Sequence, residues 1–126
     1  MLEVGAGSGY AAAVLSRLCR VVVTIERYES LAVAAERTLH ELGYDNVIVG
    51  VGDGSRGAPE RAPFGGISVT ATARDEPPAA LLEQLGPGAA LVCPVERGGH
   101  ELLMRFRDGE EEAVTGVRFV PLVTDE

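Results

Sequence analysis

Glycines and acidic residues near the start of the chain have the types and spacing of a nucleotide-binding site. Gly5, Gly7 and Gly9 separate a short apolar run from an alanine-rich stretch, so backbone could approach a ligand closely there. The dinucleotide fingerprint G-x-G-x-x-G requires a third glycine at the position of Tyr10. The observed G-x-G-x-G, with Glu3 before the first glycine, is instead typical of S-adenosylmethionine sites. A purely structural turn is the alternative.

Two further acids follow apolar runs at the positions where a nucleotide's sugar and base would lie. Glu26 ends the next β-branched run, close to the spacing of about 20 residues at which an acid meets a ribose. Asp53, followed by Gly54, comes after the third run and could accept a hydrogen bond from an adenine amino group. An acid that opens a helix and a plain Asp-Gly turn are the alternatives.

Apolar strand-like runs alternate with helical patterns, which predicts an α/β fold with a mostly parallel sheet. Leu31, Ala35, Leu39 and Leu42 recur at helical spacing, and Gly43 supplies a helix stop. We expect strands at 1–4, 21–25, 47–51, 67–71 and 89–93, and helices at 10–18, 29–42 and 79–85, the last ended by the Gly-Pro-Gly run at 86–88. Segments 102–107 and 113–120 flank an Asp-Gly turn pair and predict a C-terminal antiparallel hairpin, all within a single domain, 1–126.

Composition excludes several classes of function. The net charge of −8 argues against nucleic-acid partners, which usually face a basic surface. No apolar run approaches the roughly 20 residues that span a bilayer, so we expect no membrane partner and a cytoplasmic protein. Cys19 and Cys93 lack metal-site or disulfide spacing and predict buried free thiols. His40 and His100 lack partners at metal or triad spacing, so we expect no metal and no catalytic histidine.

Motifs along nearly the whole chain resemble the protein-L-isoaspartate O-methyltransferase family. They share order and spacing with that family and read LEVGAGSGY, TIER, ELGYDNV, VGDG, APF, LLEQLGPG and RFVPL. The resemblance implies a class I methyltransferase Rossmann-like fold. It also implies methyl transfer from S-adenosyl-L-methionine to the carboxylate of L-isoaspartyl residues in damaged proteins, so the implied partners are isoaspartyl-containing proteins or peptides.

The same resemblance assigns roles residue by residue. It places Glu3, Gly5 and Gly7 at the methionine end of the cofactor, Glu26 at the ribose, and Asp53 with Gly54 at the adenine. It places Thr70, Ala71 and Val120 against the isoaspartyl peptide, although small or β-branched residues at strand ends also serve in core packing.

The sequence departs from the family pattern at two points. Family members carry a helical segment before the glycine loop with a serine motif that closes over the cofactor, and this sequence starts inside the first strand. We therefore identify no catalytic residue, and expect weak cofactor binding and poor activity until that segment is added. Gly65 stands where the family usually has an aspartate.

Other functions fit the residues less well. A catalytically impaired cofactor-binding remnant and a small-molecule class I methyltransferase are the alternatives, while Tyr10 disfavours a nicotinamide-dependent oxidoreductase.

Overall fold

The computed structural model describes residues 1–125 and shows eight strands and three helices. The strands are β1 (Leu2–Val4), β2 (Val22–Glu26), β3 (Val47–Val51), β4 (Phe64–Val69), β5 (Ala73–Arg74), β6 (Leu85–Arg97), β7 (His100–Arg107) and β8 (Glu110–Gly116). The helices are α1 (Tyr10–Ser16), α2 (Glu29–Glu41) and α3 (Ala79–Glu83), and two short 3₁₀ turns cover Gly54–Arg56 and Pro59–Arg61.

All strands belong to one sheet, in the order β3-β2-β1-β4-β6-β7-β8, with β5 paired to β6 off this path. The pairs from β3 to β6 are parallel, whereas β6, β7 and β8 are joined as antiparallel neighbours. The predicted α/β fold, with a mostly parallel sheet and a C-terminal antiparallel hairpin, is confirmed.

The core lies along the central strands. Every residue of β1 and β2 is buried, as expected for parallel strands covered on both faces. Leu2, Ile67 and Leu91 on the adjacent strands β1, β4 and β6 are almost completely inaccessible to solvent. The apolar side chains of these strands therefore fix the carboxyl ends of β1 and its neighbours relative to one another.

The buried face of α2 differs from the predicted one. Ala32, Ala35 and Leu39 are buried, whereas Leu31 and Leu42 are exposed by 46% and 66%. Small alanines allow the helix to lie close to the sheet, and the larger leucines at its flanks face outward. The helix itself ends at Glu41, before Gly43 with its φ of +82°, close to the predicted stop.

The predicted bounds of β4 and β6 are wrong. β4 starts at Phe64 and ends at Val69, so Thr70 and Ala71 lie just beyond it. The Gly-Pro-Gly run at 86–88 belongs to the long strand β6, although it was expected only to end a helix. Its pairing with β4 is irregular there, because Phe64 pairs with Leu85 but Gly66 pairs with Ala90. A bulge thus accommodates residues that would otherwise break a strand.

The C-terminal segment also departs from the prediction. β8 covers Glu110–Gly116, not 113–120, and residues 117–125 run back across the sheet as an extended segment that we call the tail. The Thr72 N–H donates to the Val120 carbonyl at 2.7 Å, and the Leu122 N–H donates to the Thr72 carbonyl at 2.9 Å. The tail is therefore held beside the residues that leave β4.

Within residues 1–125, no helix combines the length and the apolar character needed to cross a membrane.

Candidate functional site

The candidate site lies where the strand order reverses. β1 pairs with β2 on one side and with β4 on the other, so the chain leaves β1 at a crevice between diverging connections. In open α/β sheets this switch point is where ligands bind. The N–H groups of Gly5, Gly52 and Thr70 each donate to a carbonyl of the neighbouring strand, at 2.8, 3.0 and 3.0 Å, so the loops start in fixed positions.

The glycine loop between β1 and α1 contains three glycines with a left-handed backbone, Gly5, Gly7 and Gly9. Gly5 has a φ of +98°, and a Cβ atom there would lie 2.4 Å from Thr70 Oγ1. Gly7 has a φ of +53° with open space around it, and its N–H donates to Glu26 Oε1 at 2.9 Å. A side chain at Gly5 would collide with the neighbouring loop, and the open space around Gly7 lets a ligand approach the backbone closely.

Glu26 connects the glycine loop to the end of β2. Its side chain is 6% exposed, and its two carboxylate oxygens accept from the N–H groups of Gly7 at 2.9 Å and Tyr28 at 3.0 Å. A carboxylate offers about four acceptor positions, so two N–H donors leave capacity for hydroxyl groups of a ligand. Glu26 also orients the residue before α2, which is the helix-opening role considered as its alternative.

Glu3 lies beneath the loop and is completely buried. Its Oε1 accepts from Thr24 Oγ1 at 2.6 Å, while Oε2 has no hydrogen-bond partner among the described residues. Burial raises the pKa of Glu3 above its ordinary value, the Thr24 hydrogen bond opposes that rise, and the charge of Glu26 adds to it. The structure thus holds a partly satisfied carboxyl group directly below the glycine loop.

Asp53 follows β3 and begins the 3₁₀ turn at Gly54–Arg56. Its Oδ1 accepts from the N–H and the hydroxyl of Ser55, at 2.9 and 2.6 Å. Burial acts to raise the pKa of Asp53, but the hydrogen bonds from Ser55 and Asp125 and the charge of Arg56 lower it below its ordinary value. The turn role considered as the alternative is therefore present, and the carboxylate is held ionised at the candidate site.

Gly54 is packed against the first strand. A Cβ atom at this residue would lie 2.3 Å from Val4 Cγ1, so β1 and the turn after β3 approach each other closely. Only glycine permits this approach without moving one of the two segments. The Asp53–Gly54 pair thereby places an acid at the same edge of the sheet as the glycine loop.

The tail completes the Asp53 side of the site. The Asp125 N–H donates to Asp53 Oδ2 at 3.0 Å. The Asp125 carboxylate lies 2.8 Å from Arg27 and 3.9 Å from Arg56. The tail therefore spans the ends of β2 and β3.

The three residues expected to face a peptide differ in burial and in their contacts. Thr70 Oγ1 lies 2.9 Å from the carbonyl oxygens of both Val4 and Gly5, so its hydroxyl donates to the backbone of the glycine loop. Ala71 is buried, as the packing alternative requires. Val120 is 70% exposed and lies in the tail, not in the terminal strand where it was predicted.

An open cleft of about 1190 Å³ lies between the Asp53 turn, β5 and the tail. Its lining includes Thr72, Glu101 and Phe119, and Thr72 Oγ1 donates to Glu101 at 2.6 Å. Gly5, Gly7 and Glu26 do not line it. The cleft thus includes Asp53 but not the glycine loop.

Sequence reasoning missed the partners that hold the acids. Thr24 could have been noticed as a polar residue inside an apolar run, since such a residue needs a buried partner. Arg27 and Asp125 carry no local signal, because their contact depends on the path of the tail. Among the described residues, no group of three or more His, Cys, Asp or Glu side chains is arranged to hold a metal ion.

Comparison with known proteins gives one consistent family. The model of the protein-L-isoaspartate(D-aspartate) O-methyltransferase family matches residues 1–126. A protein-L-isoaspartate O-methyltransferase of Paracoccus denitrificans is 51% identical over 98% of this chain and 59% of its own length. The chain spans about three fifths of the length of the curated relatives it matches.

Solved structures agree on the fold. A protein-L-isoaspartate O-methyltransferase superimposes with a TM-score of 0.87 and 32% identity, over 95% of this chain and 40% of that one. A Plasmodium falciparum protein of the same description, in complex with S-adenosyl-L-homocysteine, gives a TM-score of 0.82 at 23% identity over 98% and 65% of the two chains. The architecture is therefore that of class I methyltransferases.

Proposed function

The chain belongs to the protein-L-isoaspartate(D-aspartate) O-methyltransferase family, and from that premise we propose that it binds S-adenosyl-L-methionine and directs methyl transfer to the carboxylate of L-isoaspartyl residues. The observation that carries the proposal is the Glu26 carboxylate, buried at the switch point and bonded to the glycine loop through Gly7. An acid fixed in this way is suited to accept hydrogen bonds from a ribose.

The chemistry of the site fits this cofactor. Gly5 and Gly7 leave backbone close to the place proposed for the methionine end, and Glu3 lies below with one oxygen that has no partner within residues 1–125. We propose that Glu26 holds the ribose hydroxyls and that Asp53, with Gly54, holds the adenine amino group. When bound, the cofactor would supply an electrophilic methyl group on a sulfonium.

The acceptor needs little help from a base. A carboxylate has an ordinary pKa of about 4, so at neutral pH it is already a nucleophile. The remaining tasks are to align the two reactants and to exclude water, and these tasks require positioned surfaces more than a proton-transfer pair. This agrees with a site whose acids Glu26 and Asp53 already accept hydrogen bonds from backbone N–H groups.

We propose that the peptide occupies the cleft beside Asp53. Thr70 and Ala71 leave β4 next to this cleft, and Val120 lies in the tail whose neighbours Phe119 and Pro121 line it. Thr70 would act through its contact with the glycine loop, because its hydroxyl is already bonded there. The exposed Val120 side chain is available to a peptide.

We further propose that the substrates are damaged proteins of the cytoplasm. The two cysteines support a reducing compartment, because Cys93 is buried and Cys19 is half-buried and both are free thiols. Burial raises the pKa of Cys93 to about 12, which keeps it an unreactive thiol.

Two measurements test the proposed function. Calorimetric titration should show binding of S-adenosylmethionine and S-adenosylhomocysteine but not of NAD. A radiolabelled methyl transfer assay, run on the chain extended by the helical segment that precedes the glycine loop in family members, should then show incorporation into an isoaspartyl peptide and none into the matched peptide with a normal aspartyl bond. Binding of neither sulfur compound, or equal labelling of the two peptides, would refute the proposal.

A further inference from the structure

Gln84 is a buried polar residue that the proposed reaction does not use. It is the first residue after α3, its side chain is 6% exposed, and it lies outside the glycine loop and the strand ends. Its backbone is already hydrogen-bonded to β4, since the Gln84 carbonyl accepts from the Phe64 N–H at 2.8 Å. Burial of its side-chain amide therefore needs a separate explanation.

The side chain of Gln84 is bonded at both ends to one short segment. Its Oε1 accepts from the Ala58 N–H at 2.9 Å, and its Nε2 donates to the Arg56 carbonyl at 2.9 Å. Between these contacts lies Gly57, with a φ of +63°, where a Cβ atom would lie 2.2 Å from Gln84 Oε1. The amide thus packs against the Gly57 backbone and is hydrogen-bonded to the residue on each side of it, which fixes residues 56–58.

The segment that Gln84 fixes is the end of the turn that begins at Asp53. The Arg56 N–H donates to the Asp53 carbonyl at 3.2 Å, and the Gly57 N–H donates to Gly54 at 3.1 Å. Ser55, inside the same turn, gives two hydrogen bonds to the Asp53 carboxylate. A shift of residues 56–58 would therefore move the groups that orient this carboxylate.

We propose that Gln84 is a positioning residue for the cofactor, which acts by holding the backbone of residues 56–58 so that the Asp53 carboxylate keeps its direction. This inference rests on the proposed role of Asp53 at the adenine. The task needs a group that donates and accepts at once, and the amide does so at any pH where the chain folds. A carboxylate at this position would accept from Ala58 but repel the Arg56 carbonyl until it is protonated.

The test compares Gln84→Met and Gln84→Glu with Glu83→Gln, an exposed neighbour at the end of α3. Affinity for S-adenosylhomocysteine is measured by calorimetry from pH 8 to pH 5, and circular dichroism verifies that each variant is folded. We expect about tenfold weaker binding by Gln84→Met at every pH, equal to about 1.4 kcal/mol. Gln84→Glu should bind as weakly as Gln84→Met at pH 8, and its affinity should rise toward that of the parent chain as the pH falls. Glu83→Gln should bind like the parent chain at every pH.

A double-mutant cycle separates positioning from general stability. If Gln84 acts through Asp53, then Gln84→Met should weaken binding much less in an Asp53→Asn background than alone. Additive losses, or variants with a lower unfolding temperature but unchanged affinity, would overturn the proposal. If Gln84→Met does not fold, the pH series of Gln84→Glu decides, because equal affinity relative to the parent at every pH overturns it. Failure of the parent chain to bind S-adenosylhomocysteine would instead refute the proposed function.

Discussion

At the residue scale, the acids of the site are held in different ways. Glu26 and Asp53 accept hydrogen bonds at both carboxylate oxygens, mainly from backbone N–H groups. Glu3 has one bonded oxygen and one without a partner among the described residues. A buried carboxylate oxygen without a hydrogen-bond partner raises the free energy of the ionised group, so ionisation of Glu3 destabilises the fold more than ionisation of the other two acids.

Replacement of either bonded acid should weaken cofactor binding. We expect Glu26→Ala and Asp53→Ala each to reduce affinity for S-adenosylmethionine by about 1 to 3 kcal/mol, because polar groups of the ligand lose buried partners. Calorimetry measures the effect, and Glu29→Ala, an exposed acid in the first turn of α2, is the matched control. Unchanged affinity in both site variants would contradict the assignment.

The pH dependence of stability should reveal Glu3. Because its pKa is raised in the folded chain, the contribution of Glu3 to stability is fully present below its ordinary pKa of 4.5 and is lost as the pH rises through the folded value. Glu3→Gln removes this ionisation. Urea unfolding of the ligand-free chain should therefore show a variant that gains stability relative to the parent between pH 4 and pH 7. A constant difference between the two chains would show that Glu3 does not titrate in this range.

Gly65 should accept the aspartate that the family usually has. Its backbone does not need glycine, it is exposed, and a Cβ atom there would meet nothing within 4 Å. We expect Gly65→Asp to change the free energy of unfolding by less than about 0.5 kcal/mol in thermal unfolding. Gly54→Ala is the contrasting variant, since its Cβ would lie 2.3 Å from Val4 Cγ1 and should lower the midpoint strongly. A large loss of stability in Gly65→Asp would show that side chains are restricted at this position for a reason other than its backbone conformation.

At the scale of elements, Asn46 joins the end of α1 to the start of β3. Its Nδ2 group lies 2.8, 3.2 and 3.1 Å from the carbonyl oxygens of Ser16, Cys19 and Arg20. The last carbonyls of a helix have no partner within the helix, so this amide satisfies groups that would otherwise be orphaned. One side chain thereby holds the helix that follows the glycine loop.

Loss of this amide should destabilise the fold. We expect Asn46→Ala to lower the free energy of unfolding by about 1 to 3 kcal/mol, because partly buried carbonyl groups lose their donor. Denaturant unfolding is the measurement, and Asp45→Ala, the exposed neighbour, should have little effect. Equal stability of the two variants would mean that water replaces the amide without cost.

The elements with strong local signals were predictable from the sequence. The β-branched run of β3 and the helix α2 ended by Gly43 were found almost at their observed boundaries. β5 is only two residues long and is defined by its pairing with β6, so no local pattern marks it. The start of β6 contains strand-breaking residues that pairing with β4 overrides.

The same distinction holds for the candidate site. Glu26 and Asp53 could be proposed from the sequence because they follow apolar runs, and such positions can be read along the chain. Their partners could not be found in this way: Asp125 reaches Asp53 from 72 residues away, and Gln84 reaches Ala58 from 26 residues away. Only the packed sheet and the path of the tail bring these groups together.

At the scale of the whole molecule, distant parts of the sequence form the two sides of the site. The glycine loop follows the first strand, whereas the tail reaches Arg27 and Asp53 at the ends of β2 and β3. Between them the sheet places β1 at the switch point. Both the loop and the tail must therefore be in place before the proposed adenine and ribose positions are complete.

The central place of β1 predicts slow exchange of its backbone amides. Leu2–Val4 pair with strands on both sides, and the Gly5 N–H donates to the Ile25 carbonyl at 2.8 Å. In hydrogen–deuterium exchange we expect the amides of residues 3–5 to be among the slowest, released only by near-global unfolding, while the fully exposed edge strand β8 exchanges through local fraying. Rapid exchange at residues 3–5 would show that the sheet opens from its middle.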